Sequence, residues 1–245
     1  YKHTLSTPYD ISTSEYSQSV NMGTGMGDAN DSGVPMCWSY DGKHCVVGGY
    51  ENARSFSFAT AYDLSSTMTY TGTIAKINGS TSTRSARFCG TTFSIDGTEF
   101  YTIESAQSGT STTTHAYANV YTLSTPFALS SATLNTSNSV GPIASNDSVL
   151  GGKIDTCDFS GNGKDILLYT VTDPGTTSAS YKFRHIRFAT AFDYSSTRSV
   201  VNTYTLSSAN SAFASLADSA MTGNQVYNQV GPPRVTPNGI LKSGR

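Results

Sequence analysis

Two short phrases alternate along this chain, and their regular return constrains the fold more than any local propensity does. The first reads Leu5-Ser-Thr-Pro-Tyr-Asp-Ile-Ser-Thr13. It returns at 58–66, 123–131 and 188–196. The second is an apolar residue, Ser or Thr, any residue, Asp or Asn, then Gly. It occupies 38–42, 93–97, 159–163 and 235–239. Strict alternation at intervals of 53 to 76 residues means four copies of one supersecondary unit.

Each repeated residue has a physical task. Asp41-Gly42, Asp96-Gly97, Asn162-Gly163 and Asn238-Gly239 fit tight turns, where glycine accepts a positive φ. Trp38, Phe93, Phe159 and Val235 share one strand position and are expected to fill the space between units. Tyr9, Tyr62, Phe127 and Phe192 are expected to pack under the second connection. Asp10, Asp63 and Asp193 can accept local backbone hydrogen bonds there, whereas Ala128 in the third copy cannot.

Each unit reads as four strands, a to d. The first complete unit places them near 34–39, 43–49, 53–62 and 67–76. The second places them near 86–94, 98–104, 115–123 and 132–137, and the third near 153–160, 164–172, 181–190 and 197–206. The remainder forms two halves. Residues 1–10 and 14–22 look like c and d alone, while 233–237 and 240–243 look like a and b alone. Joined, they complete a fourth unit and leave no free sheet edge. A neighbouring chain or a longer parent is the other source of the missing strands. Ser/Thr/Gly-rich loops separate the strands, and 209–225 carries apolar spacing compatible with a short helix.

Composition agrees with a folded β protein. Ser and Thr together make up 71 of 245 residues, which suits outward strand positions. The 15 Tyr and 11 Phe argue against disorder, whose segments lack aromatics. With 15 basic and 17 acidic residues and no basic run, the footprint of a nucleic-acid binder is missing. No apolar stretch reaches the length needed to span a bilayer. The start at Tyr1, without a signal-like core, suggests a processed product or a section of a longer polypeptide.

Candidate chemistry is thin. No nucleophile elbow, phosphate loop, dinucleotide fingerprint or paired-histidine zinc motif occurs. His3, His44, His115 and His185 are isolated in expected strands, and Glu51, Glu99, Glu104 and Asp155 show no pairing of the kind glycoside hydrolysis needs. Two stretches approach calcium patterns, 28–33 and 158–165, but neither supplies six to eight oxygens alone. Cys37 and Cys45 face each other if the intervening loop has three residues, and lie on opposite faces if it has two. No catalytic, cofactor-binding or metal-binding residue is nominated.

Taken together, the phrases at 38–47 (WSYDGKHCVV), 93–103 (FSIDGTEFYTI), 1–13 and 120–133 (VYTLSTPFALSSAT) resemble a β-propeller repeat of tailed-phage virion proteins, marine and cyanophage types especially, and of some bacterial surface proteins. The likeness covers nearly the whole chain; the copies at 159–171 and 235–244 depart from the pattern. The resemblance implies one all-β domain over 1–245, a propeller of four blades with four antiparallel strands each, closed by pairing of the termini. The blades would be 33–77, 86–137 and 153–206, with the fourth combining 231–245 (a, b) and 1–22 (c, d). It further implies a non-enzymatic virion component of capsid, tail or fibre. Expected partners are other virion proteins, further copies of the chain and a host-surface glycan, with no nucleic acid and no membrane insertion. A bacterial cell-surface lectin or adhesin is the alternative.

Overall fold

The computed structural model of the chain describes residues 1–8, 10–20, 35–49, 52–76, 87–107, 114–143, 153–172, 180–206, 235–236 and 239–240. The fold is all-β, and every strand pairing is antiparallel. A hairpin of β1 (Lys2–Leu5) and β2 (Ser14–Gln18) comes first. The first full sheet runs β3 (Met36–Trp38), β4 (His44–Gly48), β5 (Asn52–Phe58), β6 (Met68–Ala75). The second runs β7 (Arg87–Phe93), β8 (Glu99–Gln107), β9 (Thr114–Leu123), β10 (Ala132–Leu134), with β11 (Val140–Ile143) also on β9. The third runs β12 (Lys153–Phe159), β13 (Asp165–Thr172), β14 (Ser180–Phe188), β15 (Arg198–Leu206). A last hairpin joins β16 (Val235–Thr236) to β17 (Gly239–Ile240). Spatial order follows chain order within each four-stranded path, as the a-to-d reading expects.

The sheets pack face to face in sequence. Phe100 and Tyr101 are neighbours on β8, so their side chains point to opposite faces, and both are fully buried. Phe100 joins Phe88, Phe93, Tyr121 and Leu123 against Cys37, Val46 and Ala53 of the first sheet. Tyr101 joins Ile103, Ala118 and Val120 against Phe159, Ile166, Leu168, Ile186 and Phe188 of the third. A sheet covered on both sides cannot keep a polar face, and adjacent apolar residues replace simple alternation. Each buried aromatic here contributes about 1.5–3 kcal/mol of transfer free energy. Phe93 and Phe159 fill the spaces between sheets as expected. Trp38 is only half-buried, on Phe58 and Tyr62; among the described residues the unit before it presents the β1–β2 hairpin. The side chain of Val235 lies outside the described residues.

β7, the first strand of the second sheet, lies against β3 and β4 of the first sheet and against β12 of the third. Phe88 donates its N–H to Gly49 O at 3.2 Å, and a side chain at Gly90 would collide with Cys157. Strand d of the second sheet departs from its expected course. It is split, because Asn135 Oδ1 accepts the N–H groups of Ser137 and Asn138 (3.2 and 3.3 Å) and draws the chain out of the ladder. The chain rejoins β9 as β11, where Ser139 Oγ accepts from Val120 N at 3.0 Å. Among the described residues the two terminal hairpins each pair only within themselves. The expected helix at 209–225 lies outside the described residues.

Candidate functional site

The two repeated phrases meet at one end of every full sheet. In the a–b turn, Gly42, Gly97 and Gly163 adopt φ of 69°, 71° and 67°. The aromatic residues of the other phrase adopt the same left-handed region: Tyr62 at 55°, Phe127 at 63° and Phe192 at 57°. A bulky residue there is a backbone outlier, so neighbouring contacts must hold it. Two do. The N–H groups of Tyr62, Phe127 and Phe192 donate to the carbonyls of Gly42, Gly97 and Gly163 at 2.8, 2.9 and 2.9 Å. Each ring then lies over that same glycine, where a Cβ would collide with it. The rings therefore cap the glycine turn instead of filling space beneath the second connection. Tyr9 lies outside the described residues.

Local polar groups complete the lock. Asp10, Asp63 and Asp193 each accept the N–H two residues on, at 3.0, 2.9 and 2.9 Å. Hydrogen bonds from Ser65, side chain and backbone, hold the Asp63 carboxyl below its ordinary pKa. Ala128 has no side-chain cap yet keeps the same extended backbone, φ −104° against −92° at Asp10.

The same turns also dock each unit onto the one before it. The residue after the Asp position is Leu64, Leu129 or Tyr194, buried in each case. Its N–H leaves its own unit. Leu64 N donates to Gln18 Oε1 at 3.1 Å, Leu129 N to Ser55 Oγ at 3.1 Å, and Tyr194 N to Asn138 O at 3.1 Å. Gln18 reads the turn twice, because its Nε2 also donates to Asp63 Oδ1 at 2.9 Å. Phe127 stacks on His44 of the first sheet at 4.3 Å, and Phe192 on Tyr101 of the second at 4.2 Å.

The described candidates for chemistry each have a local partner. His3 Nδ1 lies 3.0 Å from Ser14 Oγ, and His44 sits under Phe127 with its pKa lowered by burial. His185 Nε2 and Arg187 Nε both bind Asp165 Oδ1 at 2.7 Å. Burial raises the Asp165 pKa, and the Arg187 and His185 contacts outweigh it, so the net shift is down. Glu99 accepts from the Tyr101 hydroxyl. Glu104 is fully buried and accepts from Thr102 Oγ1 at 3.0 Å and Asn119 Nδ2 at 2.9 Å. The structure thus brings together His185 with Asp165; among the described residues no hydrogen bond or ring contact joins two histidines. Glu51 and residues 28–33 lie outside the described residues, as do the side chains of His115 and Asp155.

In 158–165 the oxygens serve the hairpin. Asn162 Oδ1 accepts from Ser160 Oγ and Lys164 N (2.6 and 2.9 Å), and Asp158 Oδ1 from Phe159 N at 3.0 Å. Among the described residues no group of three or more His, Cys, Asp or Glu is placed to hold a metal ion. Cys37 opposes Val46 and Cys45 opposes Trp38, so the two thiols point to opposite faces and are free. Burial pushes both thiols up to about 12. The loop between them is neither of the two lengths weighed from sequence: Ser39 pairs with His44 around four residues.

Sequence reasoning missed the docking acceptors. Gln18, Ser55 and Asn138 O share no residue type, so no repeat flags them. Among the described residues no helix is long and apolar enough to cross a membrane. Compared with known proteins, the chain matches no family model and no curated relative.

Proposed function

We propose that this chain is a non-enzymatic β-propeller module of a phage particle, which docks to other virion proteins or to the host surface. Four blades make the ring. The fourth combines β16–β17 with β1–β2, so that the two ends of the chain meet. The observation that carries this reading is the use made of the repeated residues. Tyr62, Phe127 and Phe192 lock turns, and Leu64, Leu129 and Tyr194 fasten one unit to the next. Such a scaffold is built for rigidity and for regular display of loops, and loops on a rigid frame carry recognition. The likeness of both phrases to the virion repeat supplies the setting.

Peptide mass spectrometry on purified particles tests the assignment. The reading expects peptides of this chain at a fixed ratio to capsid or tail protein through successive purification steps. Peptides confined to a bacterial envelope fraction, with glycan binding by the isolated chain, would assign it to a cell-surface adhesin. Release of reducing sugar from a host polysaccharide by the purified chain would overturn the non-enzymatic reading.

A further inference from the structure

Three sheets carry the same irregularity in strand d. A register shift follows Lys2 opposite Gln18, Ser55 opposite Gly72 and His185 opposite Asn202. Gln18, Gly72 and Asn202 are therefore one position in three units, and Val20, Ile74 and Tyr204 are another, two residues further on. Where a next unit follows, both positions are engaged. The Gln18 amide holds Asp63 Oδ1 and Leu64 N, and Val20 packs against the apolar cluster of the first sheet. Gly72 lies flush against the backbone of Leu129 and Ser130, and Ile74 packs against Phe88 and its neighbours.

On the third sheet no described residue covers the corresponding surface. Tyr204 is 43% exposed, and the exposed Asn202 amide bonds only locally, to the Tyr204 hydroxyl at 2.8 Å and Thr203 N at 2.8 Å. Val200 and Val201 beside them are exposed as well. At the other end of the chain the complementary turn is also open. Ile11 is 81% exposed, against 8% or less for its counterparts Leu64, Leu129 and Tyr194. Among the described residues Asp10 Oδ1 accepts from Ser12 alone, as Asp193 Oδ1 accepts from its own turn, whereas Asp63 Oδ1 accepts from Ser65 and also from Gln18.

We propose that Asn202 is the docking residue for this chain's own first turn, its amide taking the Asp10 carboxylate and the Ile11 N–H as Gln18 takes Asp63 and Leu64. Ile11 then covers Tyr204 and Val201. The chemistry is complementary: an amide that both donates and accepts, and a carboxylate next to an N–H that has no partner among the described residues. The assignment rests on the four-blade ring proposed above and names the contact that closes it. The occupant is the same molecule, because β1–β2 is already fastened to the first sheet through Gln18, as strands c and d of the fourth blade of the proposed ring must be.

Cysteine pairs in the full chain test it. Copper-phenanthroline oxidation of D10C/N202C is compared with Q18C/D63C, which reports a contact already in the structure. The proposal expects both pairs to close within one molecule, giving a monomer of altered mobility on a non-reducing gel. Disulfide-linked dimers from D10C/N202C alone would make a second copy the occupant and overturn the proposal. No cross-link from D10C/N202C, with the control closed and X-ray scattering still showing a compact ring, would overturn the contact and leave the ring standing. No cross-link with an extended particle would remove both. Charge reversal is a second readout: Asn202→Asp should lower Tm by several degrees, and Asp10→Asn added to it should restore the loss. An unchanged Tm in N202D would also defeat the contact.

Discussion

The N–H of Phe127 donates to the carbonyl of Gly97 at 2.9 Å while the Phe127 ring caps that same glycine. The pair joins the two repeated phrases. Each needs the other, since the turn's carbonyl and its bare glycine hold the aromatic in a left-handed conformation.

Gly97→Ala should therefore be among the costliest small substitutions in the chain. A left-handed alanine costs roughly 1–2 kcal/mol on its own, and its Cβ must also displace the Phe127 ring. For a chain of this size each 1 kcal/mol is about 2–4 °C in Tm, so calorimetry should show a fall of about 5 °C or more. A fall of about 1 °C would mean that the ring does not rest on the glycine.

Ala128→Asp should stabilise. Asp10, Asp63 and Asp193 cap the same turn, and the Ala128 backbone is already in the required shape. By the scale of capping interactions the gain is about 1 kcal/mol. Asp193→Ala should lose a similar amount, and thermal melts of both variants give the comparison. A destabilised A128D would show that the third copy lacks room for the carboxylate.

The repeats made the strands, their order and the a–b turns legible, because those features depend on residue types that recur. Asp96-Gly97 says turn wherever it stands. The left-handed aromatics were not legible: Phe127 looked like a packing residue, and only its backbone dihedral reveals the lock. The docking acceptors were hidden for another reason. A backbone N–H accepts any partner oxygen, so Gln18, Ser55 and the Asn138 carbonyl do one task with no common signature. The split in strand d of the second sheet was hidden by its Ser/Thr-rich composition, which suits a strand as well as the Asn135 turn that interrupts it.

Phe159→Ala should cost about 3–5 kcal/mol, the range for emptying a buried aromatic site, since Phe159 sits between the second and third sheets. Tyr70→Ala, on the outer strand at 54% exposure, should cost far less. Urea unfolding at constant slope reads both. Equal losses would contradict the packing order of the sheets.

His44 should make stability depend on pH near neutrality. Burial under Phe127 lowers its pKa in the folded state from the ordinary 6.5, against a smaller opposing pull from Asp41. The unfolded chain then binds the proton more readily. Its contribution is fully present above about pH 6.5 and is lost as pH falls toward the folded value. His44→Phe should keep the stack and flatten the pH dependence of Tm between pH 7 and 5. An unchanged profile in H44F would place the titration elsewhere.

Small-angle X-ray scattering on the purified chain tests the ring most directly. A closed four-blade ring of 245 residues should scatter as a monomer with a radius of gyration of about 18 Å, the value for a compact domain of that length. A clearly larger radius with an elongated distance distribution, or a mass that grows with concentration, would contradict closure within one chain.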